Sequence, residues 1–264
     1  MNDFSNTALV TLKCHIQDAM NQHSILKDKS SMKTIEYLNS NLDERSKKIL
    51  IKSFRKNLAN HIVLRAKKFD DYVIQFLKKY PEGVIVNIGC GLDHRYERVD
   101  NGKCMFIDLD LPDIINMKKD IFPASYRYKQ IAKSVLDFSW FDEIPARPVI
   151  LLAEGVFMYL KEEEVKSLFH EIYRKIQRAE MVFEVFNSRW LTGWRKWMVD
   201  LKLRRQLKFC KDATFQFGIS DSDEIESWSE HYKLIEDWSY FDVIKPKTRD
   251  YLRKIQWTVY YEIK

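Results

Sequence analysis

Val84-Ile-Val-Asn-Ile-Gly-Cys-Gly-Leu-Asp-His-Arg95 is the stretch from which the fold can be read. Four apolar side chains enclose one Asn in Val84–Ile88, and Gly89 and Gly91 follow at once. A short apolar run ending in Gly-x-Gly reads as a buried parallel strand entering a tight loop. Gly has no Cβ, so the backbone N–H groups of such a loop can approach a bound cofactor closely. The chain has only seven glycines in 264 residues, so two within three positions is a concentration.

Upstream of the loop, residues 1–80 read as helical, with no Gly and no Pro before Pro81. Asn60–Lys79 is the clearest helix, because Ile62, Phe69, Tyr72, Val73 and Phe76 recur on one face. Arg65 lies inside that apolar stripe, within roughly 40–60° of Ile62 and Phe69 at about 100° per residue. A guanidinium facing a core is costly unless paired. Two readings stand: Arg65 snorkels or meets a structural carboxylate, or it meets an anionic ligand group near the loop that follows.

Downstream, Lys103–Asp108 reads as a second strand ending in Asp108-Leu-Asp110, with Pro112 suited to the first turn of the next helix. Asp108 lies 19 residues beyond Gly89, where a carboxylate can hold a ribose diol. Asp110 offers a second acid there, either for the diol or as a helix N-cap. Arg127–Ser134 is a weaker strand. It leads to Val135-Leu-Asp-Phe138, where Asp137 and Phe138 offer an acceptor and an apolar wall to a planar base. Pro148-Val-Ile-Leu-Leu-Ala153 is a further strand, and Glu154 follows it at the strand's carboxyl end. Lys161–Gln177 is an amphipathic helix whose first-turn acids suit the helix dipole. Met181–Phe186 is a strand, and Arg189–Gln206 reads as a helix rich in Trp, Arg and Lys. That helix suits an aromatic lid over a pocket better than a surface for nucleic acid or anionic lipid. Ser220–Glu230 reads as a polar helix start, and Tyr232–Tyr240 and Gln256–Ile263 as final strands.

Composition narrows the class. No apolar run approaches the roughly 18 residues that cross a bilayer, and the first residues lack the basic and apolar regions of a secretory signal. A cytoplasmic protein with no membrane partner is expected. The four cysteines form no CxxC pair and no metal-ligand spacing with the six histidines, so neither disulfides nor a metal is expected. The formal net charge of +6 is modest and mixed along the chain, and demands no nucleic-acid partner.

Strands alternating with helices over residues 84–186 imply a doubly wound α/β sheet with a nucleotide-like ligand at the strands' carboxyl ends. A nicotinamide dehydrogenase would carry a third Gly where this chain has His94. The set of motifs resembles the leucine carboxyl methyltransferase family, including bacterial O-methyltransferases of polyketide biosynthesis. Leu64–Asp71, Asn87–Arg95, Asp108–Pro112, Val135–Asp137 and Ala153–Leu160 carry the resemblance, which runs from about Ile25 to the C-terminus.

The resemblance implies S-adenosylmethionine as methyl donor and a class I methyltransferase (Rossmann-like) fold. It also implies a helical N-terminal extension (residues 1–80) and a core (81–264) carrying a helical lid insertion at about 189–230. Carried over, Arg65 meets the cofactor's carboxylate, and Gly89, Cys90 and Gly91 form the cofactor loop. Asp108 or Asp110 takes the ribose, Asp137 and Phe138 lie by the adenine, Glu154 faces the amino group, and Tyr159 lines the acceptor site. The family's N-terminal Lys has two loose candidates, Lys29 and Lys33. No dedicated base stands beside the loop, and His94 reads as structural or solvent-facing, so a carboxylate acceptor is favoured slightly over a hydroxyl. The expected acceptor is a small molecule, with an RNA-directed methyltransferase and a dehydrogenase as alternatives.

Overall fold

The first strand, β1 (Val84–Ile88), is buried along its whole length. Its side chains alternate between two apolar layers, which explains why its sequence shows no polar alternation. Val84, Val86 and Ile88 join one core, and Ile85 joins the other. This computed structural model describes residues 3–41, 47, 50, 51, 53–206, 214–243 and 252–264. Within them, β1, β2 (Met105–Asp110), β3 (Tyr128–Ala132), β4 (Val149–Ala153) and β5 (Ala179–Phe186) run parallel. Next come β6 (Tyr232–Trp238) and β7 (Gln256–Ile263), with β7 inserted antiparallel between β5 and β6. The sheet order is β3-β2-β1-β4-β5-β7-β6. The chain leaves β1 toward β3 and then crosses back to β4, so the switch point lies between β1 and β4. In such sheets the ligand crevice opens at the carboxyl ends of those strands.

The helices are α1 (Asp3–Ala19), α2 (Ser30–Asn41), α3 (Lys56–Lys79), α4 (Arg95–Val99), α5 (Pro112–Ile121), α6 (Glu162–Lys175) and α7 (Gly193–Gln206). Phe69, Tyr72, Val73 and Phe76 of α3 pack on Ile85, Phe106, Ile150 and Leu152 of one sheet face. Val165, Leu168, Phe169 and Ile172 of α6 pack on the other. No described helix is long and apolar enough to cross a membrane.

Several boundaries differ from the sequence expectations. β2 runs two residues further than expected, so Asp108 sits inside the strand and Asp110 at its end. The helix expected over Arg189–Gln206 is broken: a 3₁₀ turn at Ser188–Trp190 precedes α7, which starts at Gly193 with φ +57°. Ser220–Glu230 forms a 3₁₀ turn at Glu224–Trp228 rather than an α-helix. There Glu224 turns back to accept from the Ser220 N–H and hydroxyl, which takes donors an α-helix would direct along its axis. Part of the expected extension (residues 1, 2, 42–46, 48, 49 and 52) and part of the expected insertion (207–213) lie outside the described residues.

Candidate functional site

A cavity of about 320 Å³ opens at the switch point. The loop after β1 (Gly89–Asp93), the end of β2 (Leu109–Leu111), Lys133–Val135, and Glu154–Val156 after β4 form its wall. Arg65 of α3, and Ala8, Thr11 and His15 on one face of α1, cover it. Gly89 has φ +61°, and a Cβ there would lie 2.4 Å from Val156 Cγ2. Only Gly meets both demands, so the backbone reaches the cavity bare. Cys90 lines the cavity too, and burial, with Asp108 nearby, pushes its thiol well up, so it stays protonated.

The structure separates the two acids of β2. Asp108 is fully buried, accepting from Asn87 Nδ2 (3.0 Å), Tyr128 Oη (2.5 Å) and Lys118 Nζ (2.8 Å), and does not line the cavity. It is a correction to the ribose role allowed it from sequence: the side chain of an interior strand residue points into the protein, not the crevice. Asp110 lines the cavity and is aimed by two backbone donors, Gly91 N–H (2.8 Å) and Leu111 N–H (2.7 Å). Burial pushes its carboxyl up against the pull of those donors.

Arg65 does both things that its position allowed. It lines the cavity, and it is paired with carboxylates: Nε lies 2.8 Å from Glu154 and Nη1 2.9 Å from Glu184. Arg95 holds the other Glu154 oxygen at 2.5 Å and Asp70 at 2.6 Å. Arg98 continues the chain to Asp70 (2.7 Å) and Asp93 (2.6 Å), and lies 3.4 Å from Asp28. Asp28 meets His15 Nδ1 at 3.0 Å. Carboxylates outnumber guanidiniums in this buried array (Asp28, Asp70, Asp93, Glu154, Glu184 against Arg65, Arg95, Arg98). Against burial, Arg65 and Arg95 together hold Glu154 below the usual range. Glu184 moves up instead, because burial, with Glu154 close by, outweighs its single Arg. His15, Asp28 and Asp93 stand close enough to share a metal ion. Arg98 already balances the two acids, so the trio is an ion-pair network.

Other expected site residues fall outside the wall. Asp137 is exposed and caps a 3₁₀ turn, accepting from Ser139 N–H and Oγ, which lower its carboxyl. Phe138 is half-buried against the core, while Val135 just before them does line the cavity. Tyr159 and Leu160 line it beside Val156. Neither Lys29 nor Lys33 reaches it, and Lys33 pairs with Glu97 at the surface. Sequence reading missed His15, Asp93 and Arg95. The motif Gly-Leu-Asp-His-Arg contained two of them, and His15 follows Leu12 on a buried face of α1. His15 Nε2 is buried and has no hydrogen-bond partner among the described residues. His94 is buried between aromatic rings, stacked on Phe122 at 3.8 Å, which bears out its structural reading.

A parallel sheet extended by an antiparallel β7, with its cavity at the β1/β4 switch, is the class I methyltransferase (Rossmann-like) fold. The leucine carboxyl methyltransferase profile matches residues 13–173, and the chain belongs to that family. Tetracenomycin polyketide synthesis O-methyltransferase TcmP of Streptomyces glaucescens is 27% identical over 241 residues, 89% of this chain and 83% of that protein. The S-adenosyl-L-methionine-dependent methyltransferase dpfgK of Gibberella zeae is 29% identical over 63% of this chain and 59% of its own. Among solved structures, a candidate methyltransferase from Thermobifida fusca superposes with a TM-score of 0.58, covering 97% of this chain and 94% of that one at 11% identity. The family and relatives do not favour the dehydrogenase alternative, and S-adenosylmethionine is the methyl donor.

Proposed function

We propose that this chain methylates an oxygen of a small molecule, with Arg65, Gly89–Gly91, Asp110 and Glu154 holding the donor. The observation that carries the reading is the buried array of five carboxylates on three guanidiniums, which reaches the cavity wall at Asp93, Glu154, Arg65 and Arg95. An uncompensated buried negative charge favours a cationic ligand, and the donor brings an ammonium and a sulfonium. Glu154 receives the ammonium while Arg65 turns its remaining donors to the carboxylate. Asp110, braced by Gly91 and Leu111, keeps acceptor capacity for the ribose hydroxyls. When bound, the donor supplies a methyl group on a good leaving group, so the protein's task is alignment and exclusion of water. The helices before β1, through Ala8, Thr11, His15 and Arg65, serve as the cover.

The acceptor side is formed by Tyr159, Leu160 and Val156, an apolar wall with one phenol, which suits a small organic acceptor. Similarity to an O-methyltransferase of polyketide synthesis supports the same class. A carboxylate acceptor needs no base. A hydroxyl does, and His15 Nε2, braced from behind by Asp28, is the proton acceptor that the wall offers. Calorimetric titration with S-adenosylhomocysteine tests the donor site: a saturable heat is expected, and absence of both heat and thermal shift would overturn the reading. Mass-spectrometric screening of aromatic acids and phenols with the donor then identifies the acceptor oxygen. A gain of one methyl on a small acid or phenol is expected, and methylation confined to RNA or protein would refute the small-molecule class.

A further inference from the structure

α7 turns its aromatic side chains outward. Trp194 is 68% exposed, Trp197 65% and Met198 42%, and Leu201 is half-exposed. These positions are i, i+3, i+4 and i+7, one continuous stripe along the helix. The opposite face is anchored: Val199 packs beside Met158, Phe186 and Phe215, together with Trp190 and the cavity residue Tyr159. The helix is therefore held on the body of the protein at the cavity's acceptor end, with an apolar stripe presented to solvent. This corrects the expectation that its tryptophans close over the pocket, since neither Trp194 nor Trp197 lines the cavity.

Charge narrows what covers the stripe. The Arg195 guanidinium lies 5.9 Å from the ring centre of Trp190 and 5.7 Å from that of Trp194. Lys196 follows it in the helix. A second copy docked by a twofold axis would bring two such basic helices together, which is unfavourable. Nucleic acid would use the rings and the cations, but it offers nothing to Met198 and Leu201. A lipid surface with anionic headgroups takes all of them: Trp at the interface, aliphatic side chains below it, and basic groups at the headgroups.

We propose that α7 docks this protein on an anionic lipid surface through Trp194, Trp197, Met198 and Leu201, placing the acceptor end of the cavity beside the membrane interface. The docking is peripheral, and it requires no donor, so its test is separate from that of the methyl transfer. Full-length protein is sedimented with sucrose-loaded vesicles of phosphatidylcholine, alone or with about one third phosphatidylglycerol. Binding to the anionic vesicles is expected, weakening with added salt. Trp194→Ser with Trp197→Ser is expected to weaken it by about tenfold or more, with S-adenosylhomocysteine affinity unchanged as the check on folding. Arg195→Gln with Lys196→Gln is expected to remove the preference for anionic vesicles. No sedimentation with either vesicle, or equal binding by the Trp variant, overturns the proposal. So does a dimer in sedimentation velocity that the Trp variant dissociates, or retention by a single-stranded oligonucleotide without retention by vesicles.

Discussion

Asp108 and Asp110 are two residues apart, on the same face of β2, and meet opposite environments because Asp108 lies inside the strand while Asp110 ends it at the mouth of the cavity. Asp108 faces inward to Lys118, a buried ammonium with no exposure. Asp108→Asn leaves that cation without its counter-ion and is expected to cost about 3–5 kcal/mol in urea unfolding. Asp110→Asn is expected to leave stability nearly unchanged and to weaken S-adenosylhomocysteine binding by about tenfold, the loss of one charged hydrogen-bond acceptor. Equal effects of the two variants on calorimetric affinity would refute the separation. His94 makes a pH prediction. Burial, with Lys118 beside it, lowers its pKa to about 4, while the unfolded chain titrates it near 6.5. Between those values the unfolded state binds a proton that the folded state refuses, so stability falls as pH drops from about 6.5 to about 4, by up to about 3 kcal/mol. Urea midpoints at both ends of that window check the sign. The dependence should flatten in His94→Gln, and an unchanged slope in that variant would remove His94 as the cause.

At the scale of elements, α3 does two jobs with one face. Its middle and C-terminal part, with Phe69, Tyr72, Val73 and Phe76, seals the sheet, while Arg65 one to two turns earlier enters the cavity wall. Phe69 is fully buried, and Phe69→Ala is expected to cost about 3–5 kcal/mol, read as a lower midpoint of chemical unfolding with an unchanged slope. A cost near zero would mean that the helix is not anchored on the sheet. Elements like β1, β4 and α6 could be read from sequence because their signals are local: an apolar run, a Gly pair, a helical repeat. Arg65 was legible as an anomaly, a cation on an apolar face. Its partners were not, because Glu154 and Glu184 lie 89 and 119 residues away and only the sheet brings them to it. The same holds for His15, whose pairing with Asp28 depends on the turn between α1 and α2. Asp108 was misplaced for a smaller reason. A strand's end is poorly marked in sequence, and a shift of two residues moved the crevice acid to Asp110.

For the whole molecule, a ligand that binds only the folded state stabilises it by about 2.7 kcal/mol at a hundredfold excess over Kd. For a domain of this size that is a rise in Tm of roughly 5–10 °C. S-adenosylhomocysteine is expected to give it in a thermal-shift series and NAD to give none, and the reverse order would contradict the donor assignment. The position of β7 has a consequence for how the chain is made. β5 is paired with β4 on one side, but its other edge receives Gln256–Ile263, and among the described residues β6 pairs only with β7. During synthesis β5 therefore waits for more than sixty further residues with an open, wholly buried-type edge, Ala-Glu-Met-Val-Phe-Glu-Val-Phe. Such an edge is a template for pairing between chains. A chain stopped before Gln256 is expected to collect in the insoluble fraction of a cell lysate even though every cavity-lining residue is present. Recovery of soluble truncated protein would show that β5 tolerates an open edge. A strand made long after β5 thus acts as the molecule's safeguard against its own aggregation.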